Sequence, residues 1–387
     1  MRSNYFTGII FLFTFVLSGC FGQKQDKEVK GKFRPGAIWP DTDSIHINAH
    51  GGGILFHEGK YYWFGEDKNE HTSVALVGVN CYSSQDLYRW KKEGVALRVE
   101  EQVGCELEKG CTIERPKVIY NPWTKKFVMW FHLELKGQGY HAARAGVAVS
   151  DRVTGPYRFL GSSRCCAGKW PENFPEQNKQ KRPGEDTLAW WTPEWREAVE
   201  EGLFVRRDFQ GGQMSRDMTL FVDEDGKAYH IYASEDNLTL HIAELTEDYL
   251  AHTGRYVRVF PGKHNEAPTL FKRQGKYWMI TSGCTGWEPN AARLAVAKHI
   301  LGPWKELPNP CRGEGAEKTF YSQGTFILPV EGYKEAWIFM ADRWNPRKHS
   351  DGRYVWLPVL FENGQPVLRW MEEWDLTVFE RKTINTK

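Results

Sequence analysis

Five polar residues recur at equivalent places ahead of short apolar runs. They are His50 in AHGGGILFHEGKYYWF, Glu114 in IERPKVIYNPWTKKFVMWF, Asp217 in SRDMTLFVDEDGKAYHIY, Glu266 in NEAPTLFKRQGKYWMI and Gln323 in SQGTFILPVEGYKEAWIFM. After each comes a turn and an aromatic-rich run. One Glu at the mouth of a strand, as in NEAPTLF, is ordinarily a solvated flank residue. A register repeated five times is different, because it can bring three carboxylates into one cleft. Such clustering is costly, and it is how a fold raises one carboxyl pKa to make a general acid. Arg115 and Arg216 adjoin two of these acids and offer a structural salt-bridge set as the alternative; the repetition favours chemistry.

The elements that must position these residues are strands. Helical periodicity is almost absent, and short β-rich runs are punctuated by Gly, Asp and Asn turns, the signature of an antiparallel all-β fold. Gly155-Pro156-Tyr157 and Gly302-Pro303-Trp304 close two of the units, and Leu87-Tyr88-Arg89-Trp90 holds a similar place in the first. Repeats of roughly 50 residues, each about four strands, predict blades packed face to face, and five of them predict a five-bladed β-propeller over 46–380. In that architecture the innermost strand of every blade starts beside the central axis, so His50, Glu114, Asp217, Glu266 and Gln323 would line one funnel. An insertion, about 162–212, delays the third unit; its TPEWREAVEEGL stretch reads as helical, and it is expected as a long rim loop over one face.

Composition narrows the function. A net charge of +2 supplies no basic stripe, which argues against a nucleic-acid partner. Aromatic residues make up 14% of the chain, with 17 Trp, well suited to covering sugar rings although most are expected in the core. Residues 1–20 read as a lipoprotein signal peptide: Arg2, a short apolar run, then the lipobox Leu17-Ser18-Gly19-Cys20. Cys20 would carry the lipid, 21–45 would be a tether and N-terminal segment, and the protein would be anchored, periplasmic or at the cell surface, in the outer membrane of a Gram-negative bacterium. Of the seven remaining cysteines, Cys105 and Cys111 bracket a loop that a disulfide could close, while Cys165 and Cys166 are adjacent. No Cys or His spacing matches a zinc site, so no metal and no cofactor are expected.

Six phrases carry a resemblance: Tyr61-Tyr62-Trp63-Phe64-Gly65-Glu66, Glu114-Arg115-Pro116-Lys117-Val118, Ser215-Arg216-Asp217-Met218, Glu266-Ala267-Pro268, Thr281-Ser282-Gly283-Cys284-Thr285-Gly286-Trp287 and Asp342-Arg343-Trp344-Asn345-Pro346. In this order, over 49–370, the chain resembles glycoside hydrolase family 43, most of all its exo-β-1,3-galactanase subfamily, subfamily 24. The resemblance implies a monomeric inverting hydrolase that releases galactose from the non-reducing end of β-1,3-galactan, the arabinogalactan backbone. It implies Glu266 as general acid, Asp217 as the residue that tunes that acid and orients the sugar, and Glu114 as a further carboxylate of the sugar site. Most of the family carries an aspartate base where the first unit meets the axis; here His50 stands there. The subfamily shares this departure, and the resemblance gives the water-orienting place to Gln323. An amide can position water by hydrogen bonds but has no useful basicity near neutral pH. Substrate contacts are expected from Glu66, His50, Glu235, Trp287 and Arg343.

Two rival readings remain. An arabinofuranosidase or galactofuranosidase would use the same fold. A non-catalytic glycan-binding surface lipoprotein would need no intact acid set, and the joint presence of Glu266, Asp217 and Glu114 argues against it.

Overall fold

The computed structural model describes Met1 and residues 31–383. The expected signal peptide after Met1, Cys20 and the first part of the expected tether lie outside the described residues. Residues 31–45 are not a loose tether: Phe33 is buried, exchanges backbone hydrogen bonds with Trp374, and stacks on its ring at 4.2 Å. The start of the described chain is thereby fastened to its end, since Trp374 lies far along the sequence.

The chain is all-β, with strands arranged in six sheets rather than the five expected blades. Four sheets are four-stranded antiparallel meanders that follow chain order, beginning with His50–His57, Thr112–Asn121, Met218–Val222 and Glu266–Arg273. A fifth has three strands, Gln323–Pro329, Trp337–Arg343 and Arg353–Pro358. The sixth joins Cys311–Arg312 in parallel to Gln365–Arg369, which pairs in turn with Leu360–Glu362. The physical reason for the miscount is local. Repeat counting finds hairpins that begin with an axial residue, whereas the sixth sheet is assembled from a two-residue strand and a distant hairpin with no such signal. The five leading strands, from His50, Thr112, Met218, Glu266 and Gln323, touch one another in a closed ring around the axis. The sixth sheet stands against Arg353–Pro358.

Apolar faces bury against the neighbouring sheet. Trp63, Trp90 and Trp356 fill one interface, Trp130 and Tyr232 another, and Trp278 with Phe339 a third; fewer of the tryptophans are buried than expected, Trp195 and Trp374 being the only others in the core among the described residues. All seven described cysteines after the lipobox are free thiols, and the disulfide considered for Cys105 and Cys111 is not formed.

The insertion folds as expected into helix, as two short segments. Helix α1, Pro193–Glu200, has Pro at its first turn and Thr192 as N-cap, whose hydroxyl accepts from the Trp195 N–H at 3.2 Å. Helix α2, Leu203–Arg207, follows at once. Arg258, from the strand His252–Val259, donates to the carbonyls of Val199 and Glu200 and ties the end of α1 to its sheet. Topology fixes the face it covers: the insertion links the outer strand Arg158–Ser163 to the axial strand Met218–Val222, so it crosses the face on which axial strands begin.

Candidate active site

At the start of the axial strands the backbone bends by the same device. The hairpin register slips just after His50, after Glu114 and after Glu266, and the next residue is left-handed in all three: Gly51 at φ 61°, Arg115 at 56°, Ala267 at 51°. These are β-bulges, which re-aim side chains at a sheet end. At position 51 the residue must be glycine, because a Cβ there would meet Glu66 Oε1 at 2.2 Å. Arg115 and Ala267 hold a conformation that costs side-chain-bearing residues energy, of the kind that gathers at functional sites.

The bulges after Glu114 and Glu266 stand at a cavity of about 320 Å³ that these two side chains line together with Asp217, Gln323, Glu66 and Trp287. All six are among the residues singled out in the sequence. Sequence reasoning missed Lys68, Arg115, His132, Tyr140, Arg216, Asn237 and Trp344, which line the same cavity. For His132 a signal existed: hairpin register sets it directly across from Glu114, as it sets Ser282 across from Glu266.

Three expected contacts are corrected. His50 is wholly buried, stacked on Tyr354 at 5.3 Å with its Nδ1 3.6 Å from Asp342 Oδ2, and does not line the cavity; these two residues of the neighbouring sheet hold its ring inside the fold. Glu235 is also wholly buried: it accepts from Arg258 Nε and Nη2 at 2.7 and 2.8 Å and bonds His241 at 2.9 Å, because the left-handed run Glu235, Asp236, Asn237 turns it into the sheet. The cation of Arg258 outweighs burial and holds Glu235 down at about 2. Arg343 lies in an adjoining cleft of about 260 Å³ with Trp287 and Trp344, and its guanidinium is spent on the carbonyls of Phe320 and Tyr321.

Charge pairing separates the four carboxylates of the cavity. Glu66 pairs with Lys68 and accepts the Arg115 N–H at 2.9 Å. Asp217 takes a bidentate grip from Arg115, Nε to Oδ1 at 3.0 Å and Nη2 to Oδ2 at 2.7 Å. Glu114 bonds His132 at 3.0 Å and accepts from the Tyr140 hydroxyl at 2.7 Å. Burial opposes the charge of both Glu114 and His132, but their mutual hydrogen bond and attraction win, leaving Glu114 at about 2 and His132 at about 9, a buried imidazolium. Glu266 is the exception. Its hydrogen-bond partners are neutral: Gln323 Nε2 at 2.8 Å, Asn237 Nδ2 at 3.4 Å and the Cys284 thiol. Burial first, and then the charge of Asp217, push it up to about 7. Glu266 is thus raised where Glu114, in the same cavity, is lowered.

Gln323 is fully engaged. Its Oε1 accepts from Arg115 Nη2 at 2.6 Å and Trp344 Nε1 at 3.0 Å, and its Nε2 donates to Glu266 and to Ser282 Oγ, the latter at 3.0 Å. The amide is held in one orientation, with its donor edge toward the acid. Away from this site, Cys165, His230 and His252 bring one donor atom each within 4.8 Å of one another, a spatial grouping that sequence spacing did not show.

An axial funnel in which one carboxyl is raised to about 7 while its neighbours pair with cations is an arrangement suited to a glycoside hydrolase. Comparison with known proteins agrees: residues 194–358 match the profile of glycosyl hydrolases family 43. A solved GH43 β-1,3-galactosidase with galactodeoxynojirimycin is 61% identical, covers 89% of this chain and 100% of its own, and superposes with a TM-score of 0.87. An exo-β-1,3-galactanase from Clostridium thermocellum is 37% identical over 89% of this chain and 66% of its own, TM-score 0.72. Another from Phanerochaete chrysosporium, solved with galactose, is 31% identical over 89% and 68%, also at 0.72. No curated protein matches the chain. The chain belongs to glycoside hydrolase family 43.

Proposed function

We propose that this protein is an inverting, exo-acting hydrolase that releases galactose from the non-reducing end of β-1,3-galactan. The observation that carries the reading is the isolation of Glu266: alone among the four carboxylates of the cavity, it lacks a direct cationic partner and sits at about 7. A group half protonated at neutral pH can deliver a proton to the leaving oxygen. The specificity for galactose and the β-1,3 linkage is supported by the galactosidase and galactanases to which the chain is similar.

In this reading the terminal galactose occupies the cavity, with Glu114, Glu66 and Asp217 accepting from its hydroxyls. Glu266 protonates the departing oxygen. Inversion needs a water on the opposite side of the sugar from the acid. Gln323 orients it, exchanging its hydrogen bond to Glu266 for one to water when the sugar enters. Trp287, 44% exposed on the rim, offers an apolar face to the ring. The protein acts as a monomer.

The lipobox supports attachment of the chain through Cys20 to the outer membrane, facing the periplasm or the cell exterior. Cys20→Ser should move the protein from the membrane to the soluble fraction, and an unmoved protein refutes the anchor.

The test of activity follows sugars released from de-branched β-1,3-galactan over time, with proton NMR of the first product. Galactose alone, appearing first as the α-anomer, supports the reading. Arabinose from a branched substrate with no galactose from the backbone would transfer the chain to the furanosidases. Binding without release would mark a glycan-binding protein.

A further inference from the structure

The insertion carries two half-exposed tryptophans, Trp190 at 54% and Trp191 at 50%. They are not loose. Trp190 stacks on buried Trp195 with ring centroids 5.1 Å apart, and Trp191 stacks on His264 at 5.3 Å with Arg196 at 5.5 Å from its ring. Trp191 is also held left-handed, at φ 72°, where a bulky residue pays in backbone strain. Bracing two large apolar rings so that half of each meets water, at the cost of strain, is not explained by stability.

Their place explains it. His264 lies two residues before Glu266, at most about 7 Å of chain. The insertion and the link carrying His264 both run from an outer to an axial strand, so both cross the face on which the cavity opens. The acid must stand beside the leaving-group oxygen, so the chain beyond the scissile bond leaves the cavity on the side of Glu266, toward these rings. Trp190 lies beside Trp191 with ring centroids 6.4 Å apart and widens the apolar surface.

We infer that Trp190 and Trp191 form a binding surface for the leaving-group portion of a galactan chain, stacking on sugars several residues beyond the scissile bond. This rests on the hydrolase reading above. The experiment compares the full chain with Trp190→Ala and Trp190→Phe on β-1,3-galactobiose, too short to reach the pair, and on a β-1,3-galactohexaose. The expected result is a fall of about tenfold in kcat/KM on the hexaose for Trp190→Ala, carried by KM, with galactobiose within twofold and Trp190→Phe recovering most of the loss. An unchanged hexaose value, or equal falls on both sugars, overturns the inference. A wild-type chain inert on both sugars sinks the hydrolase reading itself, and this one with it.

Discussion

Replacing Glu266 by Gln removes the transferable proton while nearly preserving shape. With its pKa at about 7, Glu266 is about half protonated at pH 7; at the ordinary 4.5 it would be about 0.3% protonated, so burial and Asp217 together enlarge the acid form by about 160-fold. General-acid catalysis contributes about 10²–10⁴-fold, which at 1.36 kcal/mol per decade is ~2.7–5.4 kcal/mol of barrier. Glu266→Gln should therefore lose about 10²–10⁴-fold in kcat on β-1,3-galactobiose, whose leaving alkoxide needs a proton. A dinitrophenyl β-galactoside leaves without one, and there the loss should stay under about tenfold. Steady-state rates between pH 4 and 9 give a second reading of the same group. Wild-type kcat/KM on galactobiose should fall above pH about 7, tenfold per unit, because only the protonated form acts; the limb should vanish with the activated substrate. Equal losses on both substrates, or an alkaline limb that survives in the variant, would refute Glu266 as the acid.

Three further outcomes follow from the charge pairing. Asp217→Asn removes the negative charge that helps hold the Glu266 proton and releases Arg115, so the alkaline limb should move down by about one pH unit; a midpoint that stays put would dismiss Asp217 as a tuner. Gln323→Ala strips an acceptor from Arg115 and Trp344 and a donor from Glu266, and kcat should fall by about 10²–10³-fold with the melting temperature nearly unchanged; activity within threefold of wild type would remove Gln323 from the chemistry. Glu235→Gln leaves Arg258 buried without its counter-ion, so unfolding stability in urea should fall by about 3–5 kcal/mol while galactose release by the folded fraction stays within twofold. Lost catalysis at unchanged stability would return Glu235 to the substrate.

The axial set was legible because its signal is one-dimensional: a polar residue, an apolar run, a turn and an aromatic run, repeated. Partners were not, because they come from elsewhere in the chain. Glu66 and Glu235 both end a second strand and look alike in sequence, yet Lys68 keeps the first at the cavity, while Arg258 from a later strand locks the second inside the sheet. His50 sits in the repeat as Glu114 does, but its ring packs on Tyr354 beside Asp342, residues from a later sheet that the repeat does not report. The sixth sheet was invisible for a related reason, since residues 311 and 368 pair across a separation that no periodicity reports.

The same geometry gives a physical reason for an amide where an acid would be expected. Gln323 Nε2 stands 2.8 Å from Glu266 Oε1. A carboxylate there would face the acid at hydrogen-bond distance, and two carboxyls that close share one proton rather than ionise separately. Protonation of Glu266 would then be tied to its neighbour instead of to burial and Asp217. With an amide, Arg115 and Trp344 hold the oxygen, the donor edge meets Glu266, and the proton that the reaction needs stays on a single residue. The absence of an aspartate at His50 and the neutrality of Gln323 are consistent parts of one arrangement, in which basic strength is given up and placement is retained.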